Sequence, residues 1–316
     1  MSLRCLHDSI VQQSELDTLG HMNYRFYAER VRAANDLYFQ MLGIDLSSPN
    51  AARSILTPVD IYHRFHREQF SGAPLRVQGG VTKLNDASAV MFYEVLNRDK
   101  GEPAATLIVE YALVDEVTRR PVALPIALLE AAEKERVSPP PYGLPRSLDL
   151  SPPRPDLDYE ALAERLSGIQ SEDELLRFLE IQLKEEDCDA NGWLRDDGDM
   201  IFNGGAQYHS EPGHLHGPKL LRTDEGHRFA WAWLELRTTR LASARRGDLL
   251  VSQGAHVAVS EKTLRSRRWT YNKTCRELVS VTDTMEIALD LDTRRTIKIP
   301  SNMSAAIHAG FVPGLV

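Results

Sequence analysis

Cysteine is scarce in this chain: three residues in 316, Cys5, Cys188 and Cys275, far apart and without a C-x-x-C pair. That spacing excludes a disulfide framework and a zinc ribbon, and the odd count fits a reducing compartment. Long hydrophobic runs are missing as well. No stretch approaches the roughly 20 apolar residues that a membrane span needs, so no membrane partner is expected. Positive charge is in deficit: 37 Lys and Arg stand against 45 Asp and Glu, a net charge of -8. A general nucleic-acid binder needs a basic face to neutralise phosphates, so no nucleic-acid partner is expected either. The opening MSLRCLHDSI lacks the cationic start and apolar run of a secretory signal, and a cytoplasmic protein is expected.

What is present is length and repetition. At about 150 residues per domain, the chain has room for two domains with cores of their own. Seven of the 17 prolines fall between Arg136 and Asp158. Proline fixes φ and removes a donor, so this stretch reads as an extended linker. It divides the chain into a first domain, 1–135, a Pro-rich linker, 136–158, and a second domain, 159–316. The two sides are related. LVDEVTRRPVALP, residues 113–125, and ALDLDTRRTIKIP, residues 288–300, share D-x-x-T-R-R-x-x-x-x-P at an offset of 175. DTLGHMN from Asp17 lies over DANGWLR from Asp189 at an offset of 172, and PLRV at Pro74 lies over DLLV at Asp248. Anchors in the same order at nearly constant offset indicate two copies of one domain.

Each copy has the same expected order of elements. In the first, a strand near Leu6–Gln13 leads through a turn at Asp17–Gly20 into a helix near Tyr24–Leu42. Phe26, Tyr27, Val31, Ala34, Leu37, Tyr38 and Met41 give that helix a broad apolar stripe. Asn23 stands where an N-cap belongs, and Gly43 follows as a C-terminal stop. Strands are expected near 60–65, 75–84, 89–97 and 105–114. The second copy repeats this with a strand near 178–185, a turn at Asp189–Gly192, a short helix near Met200–Tyr208 and strands from Phe229 to Ile299. One helix followed by consecutive strands implies an α+β fold with an antiparallel sheet.

The run LDTLGHMNY, the long helix after it, four strands and the closing V-D-x-x-T-R-R-P-V-x-L-P resemble the hot-dog acyl-CoA thioesterases of the 4-hydroxybenzoyl-CoA thioesterase type, over residues 5–125. The second copy carries the likeness more weakly. The resemblance implies a double hot-dog fold, each half an antiparallel sheet wrapped around a central helix, the two halves forming an intramolecular pseudo-dimer. It implies hydrolysis of a small-molecule acyl-CoA with no metal and no cofactor apart from the coenzyme A of the substrate.

The residues themselves support such chemistry. A carboxylate such as Asp17, held at a turn beside a helix start, can accept a proton from water or attack a carbonyl. Free amides within Gly20, Met22 and Tyr24 can hold the charge that develops on a thioester oxygen. His21 orients the carboxylate or donates a hydrogen bond, and Asn23 caps the helix. In the second copy Trp193 replaces His21 and Arg195 replaces Asn23, while Asp189 and Gly192 are kept. One working site is therefore expected, on the first motif, with Asn203, Gln207 and Trp193 as substrate-binding candidates from the second copy.

Other readings are weighed beside it. A hot-dog hydratase or dehydratase would use a histidine base with a carboxylic acid, and a degenerate acyl-CoA binding module would release no thiol. His209, His214 and His216 lack carboxylate or thiol ligands at clear spacing, so no metal is expected there. His63 and His66, three apart in a strand-like run, face opposite sides. Arginines at 119–120, 245–246, 265, 267–268 and 294–295 are candidates for the coenzyme A phosphates, with solvated turn charges as the default. All four tryptophans, Trp193, Trp231, Trp233 and Trp269, fall in the second copy; core packing explains them more simply than an aromatic box for a quaternary ammonium group. Homo-oligomers of the pseudo-dimer remain open.

Overall fold

The computed structural model describes residues 2–17, 19–43, 54–152, 159–166, 178–196 and 221–312. The chain divides into two compact units, Met1–Arg146 and Ser147–Val316. Among the described residues no helix is long and apolar enough to cross a membrane.

In the first unit the order is β1 (Arg4–Ile10), α1 (Arg25–Met41), β2 (Ser54–Phe65), β3 (Pro74–Leu84), β4 (Ser88–Asn97), β5 (Glu102–Asp115) and α2 (Ile126–Glu133). The strands pair antiparallel in the order β1-β3-β4-β5-β2. Helix α1 lays its expected stripe on one face of this sheet. Tyr27, Val31, Ala34 and Tyr38 pack with Val77, Val81, Tyr93, Val95, Leu107 and Val109, all buried. Two polar contacts fix the rotation of the helix: Tyr93 Oη donates to Asn35 Oδ1 at 2.7 Å, and Val81 N donates to Tyr38 Oη at 3.4 Å, where β3 bulges. Gly43, at φ +86°, ends the helix, its N–H donating to Gln40 O. This is the hot-dog arrangement, a central helix against an antiparallel sheet.

Two features differ from the sequence reading. Helix α2 is absent from the expected elements, and the Pro-rich segment is less free than a linker. Val137 is buried and its N–H donates to Val81 O. Gly143 sits so close to Phe92 that a Cβ would lie 2.5 Å from Cε2. Tyr142 Oη donates to Glu94 Oε1 at 2.6 Å, and Arg64 Nη1 donates to Leu144 O at 2.6 Å. Prolines deny this segment a strand ladder, so it is held by side chains and carbonyls instead.

The second unit contains α3 (Tyr159–Leu166), β6 (Leu179–Gln182), β7 (Leu221–Arg222), β8 (Arg228–Arg240), β9 (Leu249–Val259), β10 (Thr263–Asn272), β11 (Glu277–Asp290), β12 (Arg295–Thr296) and α4 (Ser304–Ala309). Its main strands pair in the order β6-β9-β10-β11-β8, the same circuit as the first unit, with β7 added to β8 and β12 to β11. The repetition extends to single bonds. Thr118 Oγ1 donates to Asp115 Oδ1 and Thr293 Oγ1 to Asp290 Oδ1, both at 2.8 Å, and the following Arg119 and Arg294 have φ of 57° and 53°. Val137 N reaches Val81 O in one copy and Val312 N reaches His256 O in the other. The helix expected near Met200–Tyr208, with Asn203 and Gln207, lies outside the described residues, as do His209, His214 and His216.

Candidate active site

The turn before α1 is closed by its own backbone. Asp17 N donates to His21 O at 3.0 Å, Gly20 N to Asp17 O at 2.9 Å, and Leu19 N to Asp17 Oδ1 at 2.9 Å. Gly20 has φ +78°, a left-handed conformation that side chains rarely adopt, and open space where a Cβ would point. Its backbone conformation alone is enough to call for glycine. The turn is tied to the helix through Glu15, whose Oε2 accepts from Arg30 Nη2 at 2.6 Å. Asn23 is buried and its Oδ1 accepts the N–H of Arg25, the first residue of α1, at 3.1 Å.

One expectation is corrected here. The N–H groups of Gly20 and Met22, expected to hold a thioester oxygen, are spent on Asp17 O and on Gln69 O, the latter at 2.7 Å. Asn23 N is spent on Glu15 O at 2.9 Å, and the His21 amide on the Asp17 carboxylate. A tight turn strapped by a neighbouring loop satisfies its own donors before the helix begins.

The side chains at the turn form a row. Asp17, with its side chain 5% exposed, presents Oδ2 to His21 Nδ1 at 3.7 Å, and His21 Nε2 lies 3.5 Å from Glu68 Oε1. Burial pushes the Asp17 carboxyl above its ordinary value. The charge of His21 and the Leu19 and His21 amides oppose that rise, and the like charge of Glu68 adds to it. Such a carboxylate, desolvated but beside an imidazole, has a raised proton affinity and a neighbour with which to exchange a proton. A histidine between two carboxylates is a row rather than a converging set, and no metal-holding group occurs among the described residues.

Glu68 is the residue the sequence reading missed. It lies in the loop between β2 and β3, within HREQFSG, and nothing in that string marks it out from its charged neighbours. The fold brings it to the motif because the loop is pinned on both sides. His66 N and Arg67 N donate to Ala104 O, Gln69 O takes the Met22 amide, and Gln69 Oε1 accepts from Asn97 Nδ2 at 2.7 Å.

The second copy builds the same turn without the row. Asp189 N donates to Trp193 O, Gly192 N to Asp189 O, and Asp189 Oδ1 accepts from Asn191 N and Trp193 N. Leu194 N donates to Ala244 O as Met22 N does to Gln69 O, which places Ser243 where Glu68 stands. Trp193, a substrate-binding candidate in the sequence, is buried with the Arg245 guanidinium 3.9 Å above its ring centroid. It is a packed side chain under a cation.

Several of the remaining candidates are engaged elsewhere. Arg265 and Arg267 both bond Asp283, and Arg268 donates to Ser252 Oγ. Trp269 belongs to an apolar cluster with Leu162 and Leu166 of α3, on the opposite sheet face from Trp231 and Trp233, so the tryptophans do not converge. His63 is buried on β2, and His66 contacts Thr106 Oγ1 at 3.1 Å; burial lowers each to about 4, leaving both neutral.

Residues 11–132 match the Thioesterase-like superfamily. Among solved structures, a putative oleoyl thioesterase from Lactobacillus plantarum is similar at 12% identity and TM-score 0.62, over 91% of this chain and 97% of that one. An acyl-ACP thioesterase from Bacteroides thetaiotaomicron is similar at 12% identity and TM-score 0.60, over 90% and 97%. A 12:0-ACP thioesterase from Umbellularia californica is similar at 11% identity and TM-score 0.61, over 89% and 93%. No curated protein matches in sequence. The first unit has the hot-dog fold of these structures, and its match to the thioesterase-like superfamily supports an enzyme of the thioester hydrolase class.

Proposed function

We propose that the protein hydrolyses an acyl-CoA to the free acid and coenzyme A, with water as the final acceptor and Asp17 as general base or nucleophile. The observation that carries this reading is the Asp17 carboxylate itself: one oxygen is fixed by Leu19 N–H while the other faces His21 from a desolvated turn. As base, Asp17 takes a proton from water as the water oxygen attacks the thioester carbon; collapse then expels the thiolate, which leaves as thiol. As nucleophile it attacks the thioester carbon and expels the thiolate, and water opens the resulting mixed anhydride to the free acid and the restored carboxylate. His21 and Asn23 support the turn, and the positive end of the α1 dipole favours the charge that develops there. The three free cysteines support a reducing, cytoplasmic location.

A second reading has a specific observation behind it. Asp189 makes the same turn bonds in a copy without the row, so the aspartate is also a turn-former, as an acyl-CoA binding module would need. Thiol release decides between them. Short, branched, aromatic and betaine acyl groups, each on coenzyme A and on an acyl carrier protein, are offered to wild type and Asp17→Asn. Release from one class that collapses in the variant supports the hydrolase; binding without release supports the module.

A further inference from the structure

We propose that His63 is a specificity residue for the acyl group, its imidazole hydrogen-bonding a hydroxyl or keto oxygen carried on the acyl chain beyond the thioester. This rests on the reading of Asp17 as the reacting carboxylate. Three observations carry it.

The first is an enclosed nitrogen. His63 lies on β2 with 4% of its surface exposed, and its Nδ1 is buried with no hydrogen-bond partner among the described residues. A polar atom taken out of water without a partner destabilises the fold, so one kept on a core face calls for a group from outside the chain to complete it. The second is the matching place in the other copy. Strands β2 and β5 set His63 opposite Leu107, and strands β8 and β11 set Thr238 opposite Thr282. The two threonine hydroxyls satisfy each other at 3.1 Å. The second copy closes this position with its own pair, while the first sets an imidazole against a leucine that can neither give nor take a hydrogen bond.

The third is placement. Pairing with Leu107 puts His63 on the sheet face that α1 covers, in line with Ile61 and Phe65, both packed on the core of the first unit. Its ring centroid lies 5.8 Å from that of Phe65, and Phe65 meets Tyr27 edge to face at 5.6 Å. Tyr27 in turn is near enough to feel the charge of Asp17. An apolar strip therefore leads from the reacting turn along β2 to a single polar ring, which suits an acyl chain with one oxygen on its far part. Burial lowers His63 to about 4, so the ring is neutral and offers one donor and one acceptor. A neutral hydroxyl or carbonyl matches that ring; a carboxylate or an ammonium group would be buried without a counter-charge.

The test offers medium-chain saturated acyl-CoA thioesters, and counterparts of equal length carrying one hydroxyl or keto oxygen, to wild type, His63→Leu and His63→Gln. Wild type is expected to favour an oxygenated series in kcat/KM by about tenfold or more, as a site built around a substrate hydrogen bond does. In His63→Leu the preference falls to within about twofold, and in His63→Gln, which keeps a donor and an acceptor, part of it survives. Without ligand His63→Leu melts at or above wild type, because the orphaned nitrogen is gone. A wild type blind to the oxygen, or a preference that survives in His63→Leu, overturns the proposal; survival together with a lower melting temperature marks a histidine held by a structural water. Long-range proton–nitrogen spectra of the full wild-type chain need no variant to fold: the His63 ring nitrogens shift on adding a hydroxylated medium-chain acid and not on adding the plain acid of equal length. An equal response to the two acids would overturn the proposal as well. If wild type hydrolyses no thioester, the Asp17 reading fails, while these spectra still decide whether His63 meets the oxygen.

Discussion

The two units share one backbone circuit and differ in the polarity of the side chains it carries. On the face that α1 covers in the first unit, Val77, Tyr93, Val95, Leu107, Val109 and Tyr111 are buried. At the corresponding places in the second unit stand Ser252, Arg268, Thr270, Thr282, Thr284 and Glu286, equally buried. These polar groups are bonded across strands: Ser252 to Thr270 at 3.0 Å, Thr282 to Thr238 at 3.1 Å, Arg268 to Ser252 at 3.2 Å. The other face changes in both senses, since Phe92 and Ile108 of the first unit correspond to the ion pair of Arg267 and Asp283. Glu94 and Thr106 of the first unit correspond to Trp269 and Val281, which join the apolar cluster with α3. The difference shows that a strand ladder, a set of tight turns and their register can be kept while apolar and polar side chains are exchanged on both faces, because the backbone bonds do not depend on which side chains lie above them. The same separation holds at the turns. The aspartate and glycine that shape the backbone are kept in both copies, and the His21 and Glu68 side chains are found in one.

The comparison can be broken most directly at the two aspartates. Asp17→Asn is expected to lower thiol release by about 10² to 10⁴-fold, the range for a lost general base, while Asp189→Asn keeps most activity. Equal losses in the two variants, measured side by side, would mean that the copies share the chemistry. Next in size is a transplant of polarity. Leu107→Thr places the second unit's residue, Thr282, beneath α1, and should destabilise the first unit by about 3 to 5 kcal/mol through lost burial and an unpartnered hydroxyl. Denaturant unfolding followed by far-ultraviolet dichroism measures it.

A smaller effect is expected in the second unit, where all four tryptophans report unfolding by fluorescence. Thr282→Val alone should cost about 1 to 2 kcal/mol because it strands the Thr238 hydroxyl, whereas Thr238→Val with Thr282→Val should be close to neutral. If the double variant loses more than the single one, the buried hydroxyls do more than satisfy each other. The smallest effect is on the pH dependence of stability. Burial raises the Asp17 carboxyl above 3.8, so its protonated form is the one the fold favours. Its stabilising contribution is complete below that ordinary value and declines as pH rises through the raised one. Asp17→Asn cannot ionise and escapes the decline, so its stability relative to wild type should improve from acid to neutral pH. Thermal melts of the two proteins across pH check the sign.

Much of this was legible in the chain. The D-x-x-T-R-R repeat marks the two hairpin turns whose hydrogen bonds coincide, and the three-and-four spacing of Tyr27, Val31, Ala34 and Tyr38 marks α1. Local patterns suffice where a turn or helix satisfies itself with neighbours in sequence. The donors of Gly20 and Met22 were misjudged because their partners are a backbone atom within the turn and a carbonyl some 47 residues away, at Gln69. The packed course of the Pro-rich segment was missed because its anchors, Glu94, Phe92 and Val81, lie on distant strands.

The sequence by itself determined the doubling, the order of strands, the central helix of the first unit and the Asp17 turn, since periodicity, turn residues and repeated motifs are local properties. Only the tertiary structure decided that Glu68 reaches His21, that Trp193 lies under Arg245, and that the second sheet buries Ser252, Thr270 and Thr282 where the first buries Val77, Val95 and Leu107. Each of those depends on which residues from separate strands and loops meet in space, and on the desolvation that follows, which no string of neighbours records.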